Sequence, residues 1–166
     1  MSSNEIELVE YRPELRADFE RLNLLWLEGH SLLEPLDLAY LRDPEYLILA
    51  DGGQVFFAMR GSEVLGTCAA IRVTNSRFEL AKLSVEPAAR GDGVGRRLCE
   101  KVVQYARDNG ATDIFLTSHT SLATAIRLYE SFGFRHEPLP DDIKYETANV
   151  YMTMSLQRGR SPTTKS

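Results

Sequence analysis

Apolar positions Leu15, Phe19, Leu22 and Trp26 recur at spacings of four, three and four, one face of a helix that Pro13 can open and Gly29 can end. Pro35 is placed to start a second short helix, closed by Asp43-Pro44, with Glu34 and Asp37 at its N-terminus where the helix dipole favours carboxylates. From Tyr46 the period changes. Residues 54–59, 64–73 and 78–85 are β-rich runs separated by Gly61-Ser62 and Thr74-Asn75-Ser76, and turns this short predict an antiparallel meander. After Pro87 and a glycine-rich turn, Val94, Leu98, Val102 and Tyr105 trace a helical stripe that Asn109-Gly110 stops. Residues 113–117 read as a buried strand, and Ala125, Leu128, Tyr129 and Phe132 as a helix ending at Gly133. Two strands over 134–137 and 149–156 close the pattern, the second turning Val150, Met152, Met154 and Leu156 inward. The loop between them, 138–148, is polar and long enough to carry function. The expected class is α/β of the α+β type: a mixed, largely antiparallel central sheet with helices on both faces. Residues 1–157 are expected to form a single domain and 158–166 a disordered tail without large apolar residues.

Composition narrows the functions open to such a chain. At 166 residues and 43% hydrophobic content it can bury one core, and a net charge of −5 argues against a nucleic-acid binder. No run approaches the roughly 20 apolar residues of a membrane span, and the N-terminus lacks the basic start and apolar stretch of a signal peptide, so a cytoplasmic location without a membrane partner is expected. Cys68 and Cys99 lie in apolar segments without ligand spacing and read as buried free thiols; no metal site is expected.

The candidate chemistry sits in Arg90-Gly91-Asp92-Gly93-Val94-Gly95, between a strand and a long helix. Backbone amides at a helix N-terminus converge there with favourable dipole polarity, and glycines let an anion approach the main chain. Arg90, Arg96, Arg97 and Lys101 make the same region locally basic. A P-loop would need Gly-Lys-Ser/Thr where Arg96 and Arg97 follow Gly95; a dinucleotide fingerprint would need glycine at position 96 and a βαβ unit. Neither template is met.

Residues 78–134 resemble the GCN5-related N-acetyltransferase (GNAT) superfamily. That family carries Gln/Arg-x-x-Gly-x-Gly/Ala after its fourth strand, where this chain has Arg90, Gly93 and Gly95 after FELAKLSVEP, and AIRLYESFGF over 125–134 resembles its fourth helix, with Tyr129 and Gly133-Phe134 at the matching places. The resemblance implies a GNAT-like fold and a transferase moving the acetyl group of acetyl-CoA, its co-substrate, to a primary amine of a small molecule or peptide by direct attack in a ternary complex. It places the pyrophosphate on the amides of Gly91, Asp92, Gly93, Val94, Gly95 and Arg96 beside Arg90, with Arg96 and Lys101 assisting. It places pantetheine along Leu83, Ser84 and Val85, and adds Ala125 and Tyr129 to the cofactor-binding set. Asp92 departs from the small or basic residue usual in that turn.

Thioester aminolysis needs a neutral amine, an oxyanion donor and a proton for the thiolate. The resemblance makes Tyr129 the acid and a backbone amide near Leu83 the oxyanion donor. Glu79, expected on the same strand face as Ala81 and Leu83, and Glu34, on the loop between the first helices, are the alternative bases. His119 stands where relatives carry asparagine, as does Leu122; it can replace that asparagine, serve as an acid–base group, or cap the next helix with Thr120 and Ser121. The acceptor pocket is expected from residues 33–40, the strand edge near Glu79 and the loop 138–149, whose Glu34, Asp37, Asp141, Asp142 and Glu146 suit a cationic amine. The alternatives are a non-catalytic acyl-CoA sensor and a protein-interaction module on the same fold. Residues 145–154 form a candidate exposed strand edge for a homodimer.

Overall fold

The computed structural model describes residues 5–157; the expected tail, 158–166, lies outside them. The elements run β1 (Ile6–Glu10), α1 (Arg16–Gly29), α2 (Pro35–Arg42), β2 (Gln54–Arg60), β3 (Glu63–Thr74), β4 (Arg77–Val85), α3 (Val94–Asp108), β5 (Asp113–Ser118), α4 (Ala123–Phe132), β6 (Arg135–Glu137) and β7 (Val150–Ser155). Among the described residues seven strands form one sheet in the order β1-β2-β3-β4-β5-β7-β6. Every pairing is antiparallel except β4 with β5, which is parallel and spans only Arg77↔Asp113, Phe78↔Ile114 and Glu79↔Phe115. Beyond Glu79 the two strands separate.

Strand alternation divides the core between the faces. On one face Phe56, Ala58, Cys68, Phe78 and Leu80 pack with Val94, Leu98 and Val102 of α3 and with Ala125 and Tyr129 of α4. On the other, Val55, Phe57, Ala69 and Ile71 pack with Phe19 and Leu22 of α1 and Leu41 of α2. Helices on both faces thus explain why the meander reads as continuous apolar runs. Cys68 and Cys99 are buried and free. Among the described residues no helix is long and apolar enough to cross a membrane.

Three expectations need correction. Residues 6–10, to which the apolar pattern assigns no element, form β1; an edge strand pairs on one side only and leaves Ile6, Leu8 and Val9 half-buried, so its signal is weak. Glu45–Leu49, near the expected start of the β region, is a π-helical turn that buries Ile48. α1 does end at Gly29, as expected, and the left-handed residue after it is Ser31, with φ 57°. Finally, β7 lies between β5 and β6 and is no sheet edge, so residues 145–154 do not offer the exposed edge expected for a dimer.

Candidate active site

The site begins where β4 leaves β5. Ala69 pairs with Ala81 and Thr67 with Ser84, so β4 carries one extra residue there, and Lys82 adopts φ 60°. This β-bulge reverses the side-chain parity of the strand. Ala81 packs on the α1 side of the sheet, while Leu83 and Val85 pack on the α3 and α4 side. The expectation that Glu79 and Leu83 share a face is therefore corrected: the bulge between them turns Leu83 over. Ser84 turns to α1, where its hydroxyl donates to Asn23 Oδ1 at 2.9 Å and Asn23 Nδ2 donates to Phe19 O at 2.9 Å. The Glu86 amide donates to Leu65 O at 2.8 Å, toward β3, so alternation directs the Val85 amide to the opposite, unpaired edge.

The glycine turn follows. Gly91 and Gly93 have φ of 89° and 80°, and a Cβ on either would meet nothing within 4 Å, so the space before them is open. Arg97 is the first α3 amide to close a helical bond, to Gly93 O at 3.1 Å, which leaves the amides of Val94, Gly95 and Arg96 facing out of the helix end. Gly95 serves packing instead: a Cβ there would lie 3.3 Å from Leu128 of α4 and 3.8 Å from Val85. The guanidinium of Arg90 stacks 4.8 Å from the Trp26 ring, and that of Arg96 lies 5.0 Å from Phe132 and donates to Ser131 Oγ at 2.5 Å. Asp92 pairs with Arg60 at 3.8 Å, which offsets its charge beside the turn. Lys101 is exposed further along α3.

Between the bulge and α4 lies a cavity of about 110 Å³, whose walls include Trp26, Leu32, Glu79, Lys82, Leu83, His119, Ala125, Tyr129 and Tyr145. Most sequence-predicted catalytic residues meet there. Tyr129 is 7% exposed, its ring edge-on to Phe134, and burial raises its phenol well above the ordinary range, which keeps it protonated. Glu79 is 2% exposed and accepts from Lys144 Nζ at 2.8 Å through Oε1. His119 Nδ1 accepts the Ser121 amide at 3.0 Å, leaving Nε2 as the other ring nitrogen, and the Thr120 amide donates to Asn149 Oδ1 at 3.0 Å. Thr120 and Ser121 thus belong to the turn before α4 rather than to its cap, which falls at Leu122.

Glu34 stands outside the cavity wall. Its carboxylate accepts from the amides of Glu146 and Thr147 at 3.2 and 2.8 Å and from Thr147 Oγ1 at 2.6 Å. Burial pushes its pKa up, but these bonds outweigh it and the net direction is down. The Glu34 amide in turn donates to Asp37 Oδ2 at 2.9 Å, the capping interaction expected at α2.

Sequence reading missed the group at the centre of the wall. Lys82, its side chain 6% exposed, forms an ion pair with Asp37, 3% exposed, and donates to Tyr145 Oη at 3.0 Å. Lys144 joins Glu79 to the Tyr40 hydroxyl, to which it donates at 3.1 Å. Two cations thus answer the two buried carboxylates, Asp37 and Glu79; of the acidic residues expected to suit a cationic amine only Asp37 lines the cavity, and Glu34, Asp141, Asp142 and Glu146 do not. The signal for Lys82 was a lysine within a strand run that also holds Glu79 and Ser84, a pattern that also fits a solvated edge.

The family model described as the Acetyltransferase (GNAT) family matches residues 14–134. Among curated proteins, the chain is 31% identical over 117 residues to N-acetyltransferase family 8 member 2 of Rattus norvegicus, covering 68% of this chain and 52% of the relative. It is 33% identical over 93 residues to N-acetyltransferase 8B of Homo sapiens, covering 52% and 41%. The chain spans about half the length of the curated relatives it matches. Among solved structures it resembles a GNAT-family acetyltransferase of Staphylococcus aureus Mu50, with TM-score 0.84, 23% identity and coverage of 92% of this chain and 100% of that one. It also resembles the yncA protein of Salmonella typhimurium, solved with its cofactor acetyl-CoA, with TM-score 0.66, 20% identity and coverage of 96% and 98%. At these identities the structural likeness is one of fold. With a family match across most of its length and a sheet that opens at β4 and β5 beside a glycine turn, this chain belongs to the GNAT family of acetyltransferases.

Proposed function

We propose that the chain is an N-acetyltransferase that moves the acetyl group of acetyl-CoA to a primary amine of a small molecule or peptide by direct attack in a ternary complex. The observation that carries this reading is the parting of β4 from β5 after three residue pairs, which leaves a free main-chain edge running from the glycine turn to Tyr129. The names of the curated relatives and the acetyl-CoA of the yncA structure support the choice of donor.

The residues present fit that donor. The open space before Gly91 and Gly93 and the outward amides of Val94, Gly95 and Arg96 suit a pyrophosphate, with Arg90 and Arg96 at its sides. The edge of Leu83, Ser84 and Val85 suits the pantetheine amides, and Ala125 walls the cavity opposite. Bound there, acetyl-CoA supplies an activated thioester carbonyl. The Leu83 amide is the oxyanion donor and the Tyr129 phenol the proton source for the thiolate. Glu79 is the favoured proton acceptor, through water, because Lys144 occupies only its Oε1. Glu34, with both oxygens filled by the loop, positions that loop. His119 presents Nε2 as a second route for the proton.

The test is calorimetric titration with acetyl-CoA followed in the same sample by thiol release against a panel of primary amines. Binding with release supports the transferase. Binding without release from any amine favours the acyl-CoA sensor, and absence of binding to folded protein refutes the reading.

A further inference from the structure

We propose that the chain acetylates itself on Lys82, so that this lysine is an internal modification site. The inference rests on the acetyl-CoA reading given above. The chain has lysines at 82, 101, 144 and 165. Among the described residues, Lys82 is the one that lines the cavity shared by Leu83 and Tyr129, the groups assigned to the thioester carbonyl and to the departing thiol. Lys101 is exposed on α3, and Lys144 does not line the cavity: its amine lies behind the wall, donating to Glu79 and to the Tyr40 hydroxyl.

Two features commit the Lys82 amine to this place. Its backbone is left-handed within a strand, a conformation that disfavours an unbranched L side chain and persists only where the surroundings impose it. Its side chain is then enclosed between Asp37 of α2 and Tyr145 of the loop before β7. Burial, working against the attraction of Asp37, lowers the pKa of the ammonium from the ordinary lysine range.

The charge balance favours transfer. One Nζ proton passes to the Asp37 carboxylate, and the freed lone pair forms a bond to the thioester carbonyl carbon while the carbon–sulfur bond breaks. The second Nζ proton goes to the thiolate by way of Tyr129. The products are an acetamide on Lys82, a carboxylic acid on Asp37 and free thiol. A buried ion pair becomes two neutral groups, so no charge is left without its partner in a site where an unpaired charge is costly.

The experiment incubates the purified chain with acetyl-CoA and no acceptor, reads intact mass with time, and maps the label by peptide digestion; acetyl-CoA binding is measured on the same sample by calorimetry. The expected result is one acetyl group per chain on Lys82, resistant to hydroxylamine and therefore not a cysteine thioester, at a rate independent of protein concentration. Lys82→Arg, which keeps the cation beside Asp37, loses the label while its melting curve shows a folded protein, and Lys165→Arg keeps it. Label confined to other lysines, a rate rising with protein concentration, or no label while acetyl-CoA binds overturns the inference alone. No binding overturns the donor reading on which it stands.

Discussion

At the scale of single residues, the strongest demands fall on Gly93 and Tyr129. Gly93 holds φ 80° at the head of α3 with open space before it. Gly93→Glu adds a side chain and a negative charge where the phosphates are proposed to sit, and strains the backbone by about 1 kcal/mol. Acetyl-CoA affinity is expected to fall at least on the order of 10-fold in calorimetry, from lost anion contacts; a folded variant with native affinity would contradict the cradle. Tyr129→Phe keeps the ring against Phe134 and removes the proposed proton donor. Its kcat is expected to fall about 100-fold, the low end of general-acid contributions, with the KM for acetyl-CoA little changed. An unaltered kcat would transfer the acid role to His119 or water.

At the scale of elements, the β6–β7 loop is fastened to α2 by Glu34 and Thr147 and to the bulge by Tyr145. Glu34→Ala should therefore loosen the loop, destabilising the chain by about 1 kcal/mol after allowance for its partial exposure. The sign with pH follows from the net lowering of the Glu34 pKa. The unfolded chain binds more protons through that window, so the stabilisation is present above the ordinary carboxylate range and is lost as pH falls through the lowered value. Melting curves of the native chain and the variant should converge on the acid side; a constant gap would show that the carboxylate charge is not what holds the loop. The interactions of this loop were closed to sequence reading because each joins residues far apart in the chain. Thr147 meets Glu34, and Tyr145 meets Lys82, through side chains whose local patterns specify only a polar loop. The glycine turn was legible for the opposite reason, since backbone conformation there depends on residues in direct succession.

At the scale of the whole molecule, the sheet carries a separate core on each face, and Phe57 is fully buried between the sheet and α1. Phe57→Ala is expected to cost about 3–5 kcal/mol in denaturant unfolding. If residues 1–157 act as one domain, as we propose, the variant loses both faces in a single transition, with calorimetric and van't Hoff enthalpies in agreement; two transitions would separate the layers. Strand runs 54–59, 64–73 and 78–85 revealed the sheet because both its faces are buried. The edge strand β1 and the order β5-β7-β6 stayed hidden: the first is half solvated, and the second depends on which partner a strand chooses rather than on its own pattern. The bulge at Lys82 was equally hidden, for alternation read along FELAKLSVEP assumes an unbroken pleat.

The position of Trp26 has a practical consequence. It is the one tryptophan of the chain, and its ring touches both the cavity and the groove beside Arg90. The protein thus contains its own optical gauge. On the proposed reading, intrinsic emission should register donor arrival near the guanidinium and acceptor arrival near the indole as separable changes, so that the order in which the two proposed substrates load can be followed by stopped flow without any label.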